Sequence, residues 1–64
     1  MKKDIMTIKE LSSYLNISIS GIRKLVRYRN IPFFRIGNRI YFNLNKINNW
    51  IETKEKQEEK TILF

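Results

Sequence analysis

The chain has 64 residues, with thirteen Lys and Arg against six acids and neither cysteine nor histidine. A single domain of this size buries only about 60% of its unfolded surface, so its core is thin. Disulfide and thiolate–metal staples, a nucleophilic cysteine and histidine acid–base chemistry are all excluded. No apolar run approaches the ~20 residues that cross a bilayer, and no signal-peptide h-region is visible, so the expected location is the cytoplasm.

Met1 to Ile5 read as a flexible leader (residues 1–5), with Lys2 and Lys3 available to phosphates. The folded unit is expected over residues 6–52. Thr7 to Leu15 read as a first helix: Thr7 and Glu10 form a T-x-x-E capping box, and Met6 can staple to Leu11. Ile8, Leu11, Tyr14 and Leu15 supply its buried face, and Asn16 suits the left-handed residue that ends it.

Ser18 to Asn30 read as a second helix, capped by Ser18 and stapled by Ile17 to Ile22. At about 100° per residue, Ile19, Ile22, Leu25, Val26 and the stem of Arg29 fall on one side. Ser20, Arg23, Lys24 and Arg27 gather on the other, flanked by Tyr28 and Gly21. One face suits a core; the other is cationic and carries no acid. Only Asn16 and Ile17 separate the two helices, which predicts the steep crossing of a helix-turn-helix. Gly21 costs about 1 kcal/mol relative to alanine. Close packing against the first helix or close approach to a sugar–phosphate strand would each explain it.

Pro32 ends the helical region and pushes Ile31 towards an extended conformation. FFRI and RIYF then flank Gly37-Asn38, a two-residue hairpin with glycine first, suiting a type II′ turn. Phe34, Ile36, Ile40 and Phe42 are expected to face the helices, and Arg35, Arg39 and Tyr41 to face out. An isolated hairpin is marginal in water, so this one must dock. Asn43 caps a third helix in which Leu44, Ile47, Trp50 and Ile51 face inward and Phe42 staples to Ile47. Trp50 reads as core, with base stacking the alternative. Residues 53–64 are a charged tail, either a helical extension or disordered; the closing TILF is a loose end, a patch closing the core, or a contact for a partner or another copy.

Charge placement is the functional signal. Residues 1–53 hold ten Lys and Arg against Asp4, Glu10 and Glu52, whereas residues 54–64 are balanced, and no acid lies between Lys24 and Lys46. A solvated, solubility-giving surface would account for some of this. A polyanion such as a nucleic acid accounts for its concentration in the folded body.

The order of helix, tight turn, basic helix, Gly-Asn hairpin and helix is a mainly α winged helix-turn-helix with a small β-hairpin. The motifs T-x-x-E-x-x-x-x-L, I-S-x-x-x-I-x-x-L-V and I-P-x-x-R-I-G-N-R-I-x-F, closed by W-I, cover about residues 6–52. In them the chain resembles the small excisionase-type, MerR-related winged-helix proteins of bacteria and phages. That resemblance implies that the second helix enters the major groove of DNA and the wing the adjacent minor groove. The reading helix would then present Ser18, Ser20, Gly21, Arg23, Lys24, Arg27 and Tyr28, and the wing Asn38 and Arg39, with Arg35 on a nearby backbone. Ile19 and Gly21 depart from the family's pattern, shifting the expected balance from base reading towards phosphates and DNA shape.

Elementary chemistry divides the labour in the same way. Arg23 or Lys24 suits guanine O6 and N7; Arg27, Lys9 and Lys46 suit phosphates, which orient without specifying; Arg39 suits a narrow, AT-rich minor groove. The expected function is sequence-specific double-stranded DNA binding as a recombination directionality factor that bends DNA and helps an integrase excise a mobile element. The expected partners besides DNA are the integrase and further copies of the chain on adjacent sites. The expected setting is the nucleoid of a bacterium or a phage-infected cell. The alternatives are a small transcriptional repressor or regulator of a mobile element or phage, and a protein-interaction module with a basic face. No cofactor, metal, small-molecule ligand, membrane contact or enzymatic activity is expected.

Overall fold

Local capping chemistry sets where each helix begins. A computed structural model describes the backbone of residues 4–62 and the side chains of residues 4–58. Helix α1 (Ile8–Leu15) starts at Thr7, whose Oγ1 accepts from the Glu10 amide at 3.2 Å while the Thr7 amide donates to Glu10 Oε1 at 3.0 Å. Asn16 ends the helix at φ 58°, in the left-handed region asparagine tolerates. Helix α2 (Ile19–Arg27) is capped by Ser18, whose Oγ accepts from the Gly21 amide at 3.1 Å. Removing that cap in Ser18→Ala is expected to cost about 1 kcal/mol. A thermal melt should show Tm falling by ~4–8 °C.

α2 is shorter than the expected span to Asn30. Its end is a Schellman turn: the Arg29 amide donates to the Val26 carbonyl at 3.0 Å and the Asn30 amide to the Leu25 carbonyl at 2.9 Å. The left-handed residue is Arg29, at φ 56°. Glycine takes that conformation freely; another L-residue pays roughly 1–2 kcal/mol. Arg29 therefore lies beyond the helix, and its stem is not part of the buried stripe.

The sheet contains one strand more than the hairpin. β1 (Ile5–Thr7) pairs antiparallel with β3 (Arg39–Asn43), which pairs antiparallel with β2 (Phe34–Ile36), giving the order β1-β3-β2. Ile5, read as the end of a loose leader, is thus the first residue of a strand. The Leu44 amide, donating to the Asp4 carbonyl at 2.8 Å, ties this edge to the third helix. At the hairpin turn Gly37 has φ 62° and Asn38 does not, as a type II′ turn requires.

The register corrects the expected faces of the hairpin. Phe34 pairs with Tyr41, Arg35 with Ile40 and Ile36 with Arg39. Directly opposed residues share a face, so Phe42 and Ile40 inward force Phe34 and Ile36 outward and put Arg35, expected outside, on the face of Ile40, where its long side chain still reaches solvent. Phe42 is fully buried and Ile40 packs against the core; Ile36 is 62% exposed, and half-buried Phe34 lies against Tyr41 with ring centroids 6.0 Å apart.

The core consists of Met6, Leu11, Ile22, Val26, Ile31, Phe42 and Ile47, with Ile8, Leu15, Leu25, Leu44, Trp50 and Ile51 packed around it. Tyr14, expected inside, is 52% exposed, and its hydroxyl donates to Asn48 Oδ1 at 2.8 Å. Ile19 is also on the surface, at 41% exposure. Both lie at the rim of an apolar stripe on a short helix, where periodicity gives the direction of burial but not its width. Helix α3 (Leu44–Ile62) is capped by Asn43, whose Oδ1 accepts from the Lys46 amide at 3.1 Å. The half-buried Trp50 indole donates to the Asn30 carbonyl at 2.8 Å, locking α3 to the end of α2, and the Lys54 ammonium lies over its ring at 5.9 Å. Beyond Ile51 the helix runs on, with residues 52–58 exposed. Leu63 and Phe64 of the TILF segment lie outside the described residues.

Candidate nucleic-acid interface

Burial of Ile22 and Val26 turns the other side of α2 outward. Ser20, Arg23, Lys24 and Arg27 are all exposed, and Tyr28 is 61% exposed. Among the described residues, Arg23, Lys24, Arg27 and Arg39 have no ion-pair partner. Their donors are uncommitted, as a surface facing a polyanion requires.

Three elements meet beside this face. Lys9 near the start of α1, Arg23 of α2 and Asn38 and Arg39 at the wing tip line one open cleft of about 280 Å³. Thr7, Ile8, Ile40 and Tyr41 complete its wall. Pairing of Thr7 with Tyr41 joins β1 to β3 on that side, so the unexpected strand is what brings the start of α1 to the wing.

A family profile described as a helix-turn-helix domain matches residues 5–55. The chain belongs to the helix-turn-helix domain family. With its three-stranded sheet it is a winged helix-turn-helix, and it is a DNA-binding protein. No curated protein and no solved structure matches it.

Not every expected contact residue of this helix-turn-helix domain joins the cleft. Lys46 lines a separate, smaller cavity of about 110 Å³ with Pro32, Phe33, Phe34 and Asn43, at the base of the hairpin rather than its tip. Arg35 lies over the Phe33 ring, 5.9 Å from its centroid. Ser18 Oγ is occupied as the α2 cap and sits 3.3 Å from Ser20 Oγ. Gly21 is half-buried, and a Cβ there would stand 2.9 Å from Ile17 Cγ2 and 3.2 Å from Ser18 Oγ. The glycine thus accommodates the tight turn itself, a third explanation beside the two expected.

Sequence reasoning missed Arg29, which left the helical register once its φ turned positive and which lies 5.8 Å from the Phe33 centroid. Among the described residues no group of His, Cys, Asp or Glu is arranged to hold a metal ion, and no helix is long and apolar enough to cross a membrane.

Proposed function

We propose that this helix-turn-helix domain reads double-stranded DNA with α2 in the major groove and the wing in the adjacent minor groove. Its role is that of an excisionase-type, MerR-related accessory protein, which bends DNA beside a recombination junction and assists an integrase. The observation that carries the reading is the cleft shared by Lys9, Arg23, Asn38 and Arg39, which come from three elements yet face one space. Arg23 suits bidentate recognition of guanine, Arg39 the narrow minor groove, and Lys9, Lys24 and Arg27 the flanking phosphates. So small a module makes few base contacts, which favours copies side by side and DNA bending offset by the added contacts.

Residue roles separate on substitution. Arg23→Ala should relax preference at one base pair, a loss of about 1–3 kcal/mol of discrimination, whereas Arg27→Ala should weaken specific and unrelated duplexes alike. Competition binding against single-base variants of the site measures both. Equal, sequence-independent losses from both variants would remove Arg23 from the reading role. Footprinting and bending assays with the recombinase present test the biological assignment. Repeated short sites with a bend support it; one unbent promoter operator assigns repression instead.

A further inference from the structure

Two arginines from different elements meet on one ring at the seam between α2 and the wing. Arg29, just beyond α2, lies 5.8 Å from the Phe33 centroid, and Arg35, in β2, lies 5.9 Å from it. Phe33 is half-buried and both arginines are exposed. Neither has a carboxylate partner among the described residues. The ring therefore gathers like charges that repel, and nothing described in the chain neutralises them. A guanidinium laid on an aromatic face keeps the donors in its own plane free, in a fork that matches phosphate oxygens.

The position of the pair says which anion. Arg23 and Arg39 share the cleft at the wing tip; Arg35 stands one residue pair back from that tip, opposite Ile40, and its guanidinium meets that of Arg29 on the Phe33 ring. Cations thus run from the wing tip back to Phe33, in the segment that joins α2 to the wing. A helix in the major groove and a wing in the adjacent minor groove straddle the sugar–phosphate strand between those grooves.

We infer that Arg29 and Arg35, held on Phe33, form a phosphate clamp that grips this strand between helix and wing. Arg29 is a DNA-binding residue and Phe33 a positioning residue. The inference rests on the reading proposed above. A clamp of this kind supplies affinity and register but no base preference. It also gives the left-handed Arg29 a purpose: the chain accepts backbone strain that glycine would avoid and gains a guanidinium on the ring.

The test is fluorescence-anisotropy titration of the footprinted duplex and an unrelated duplex from 50 to 300 mM salt, with the whole protein. Arg29→Gly suits the left-handed backbone, so its Tm should match or exceed that of the parent. Its affinity for both duplexes should fall about three- to tenfold at 100 mM salt, and the salt slope should become shallower by about 0.9. Arg35→Ala should do the same. Phe33→Leu keeps both charges and should give a smaller loss with the same lack of sequence preference. Lys54→Gln, on the exposed stretch of α3, should leave the slope unchanged.

Parent-like binding by Arg29→Gly, with an unchanged slope, overturns the clamp. So does a loss confined to one base-pair preference, or loss of binding to an acidic peptide such as polyglutamate with DNA binding intact. If Arg23→Ala still relaxes base preference while Arg29→Gly is silent, only the clamp fails. If the parent protein binds no duplex at 50 mM salt, the reading beneath it fails first.

Discussion

Truncating Phe42 to alanine is expected to leave most of the protein unfolded at 37 °C. Phe42 is fully buried, faces Met6 across the β1–β3 pairing, and immediately precedes the cap of α3, whose Ile47 is also fully buried. One side chain therefore ties the sheet to the helices. A buried Phe→Ala change costs ~3–5 kcal/mol, because the lost transfer energy adds to the cavity left behind. A domain of 64 residues holds only roughly 3–10 kcal/mol in total. The substitution removes most of that reserve, and circular dichroism should show Tm falling by ~12–40 °C or no cooperative transition at all. Ile36→Ala on the same hairpin is the control, since Ile36 is 62% exposed and a surface truncation shifts stability by about 0.5 kcal/mol or less. A Phe42→Ala protein melting within a few degrees of its parent would mean that the wing is not anchored through this residue.

The contrast between Phe42 and Ile36 also marks what the sequence could reveal. Cap chemistry is local, and Thr7, Glu10, Asn16, Ser18 and Asn43 all act where their residue types predict. The type II′ turn at Gly37-Asn38 was equally legible. The hairpin faces were misjudged through parity: in a two-residue hairpin the flanking residues, Ile36 and Arg39, oppose each other and cannot lie on different faces. Strand β1 escaped detection for another reason. Three residues are too few to show alternation, and the strand exists only because β3 offers it a free edge.

The same distinction runs through the candidate site. Arg23, Asn38 and Arg39 were nameable from a basic helix and a hairpin tip, and the structure brings them together with Lys9. Lys46 was nameable only as a cation, and the chain's path takes it to the hairpin base. Arg29 was misplaced because periodicity assumed another turn of helix. Nothing in the residue type announces a left-handed arginine at a position where glycine is the usual choice. The consequence is functional as well as structural: an arginine assigned to the core stripe becomes a free cation beside the wing.

Raising salt from 50 to 200 mM should weaken DNA binding several-hundredfold. The net charge of the folded body comes from cations spread over α1, α2 and the wing, without acids between Lys24 and Lys46 to offset them. If about five phosphates are neutralised, log K falls with log salt at a slope near −4.5, equivalent to roughly 500-fold over that range. Most of this dependence should persist on unrelated duplex, because Lys9, Lys24 and Arg27 would meet phosphates whatever the sequence. The tail over residues 54–64 carries equal numbers of lysines and glutamates. Its field on a duplex is close to neutral, so neutralising Lys54 or Lys56 should barely alter the slope, while Arg27→Ala should flatten it by about 0.9. A slope near −1 would shrink the contact to a single phosphate. Absence of duplex binding at 50 mM salt would redirect the cationic face of α2 towards an acidic protein, because the surface that fails to hold DNA when screening is weak has no other means of doing so at physiological salt.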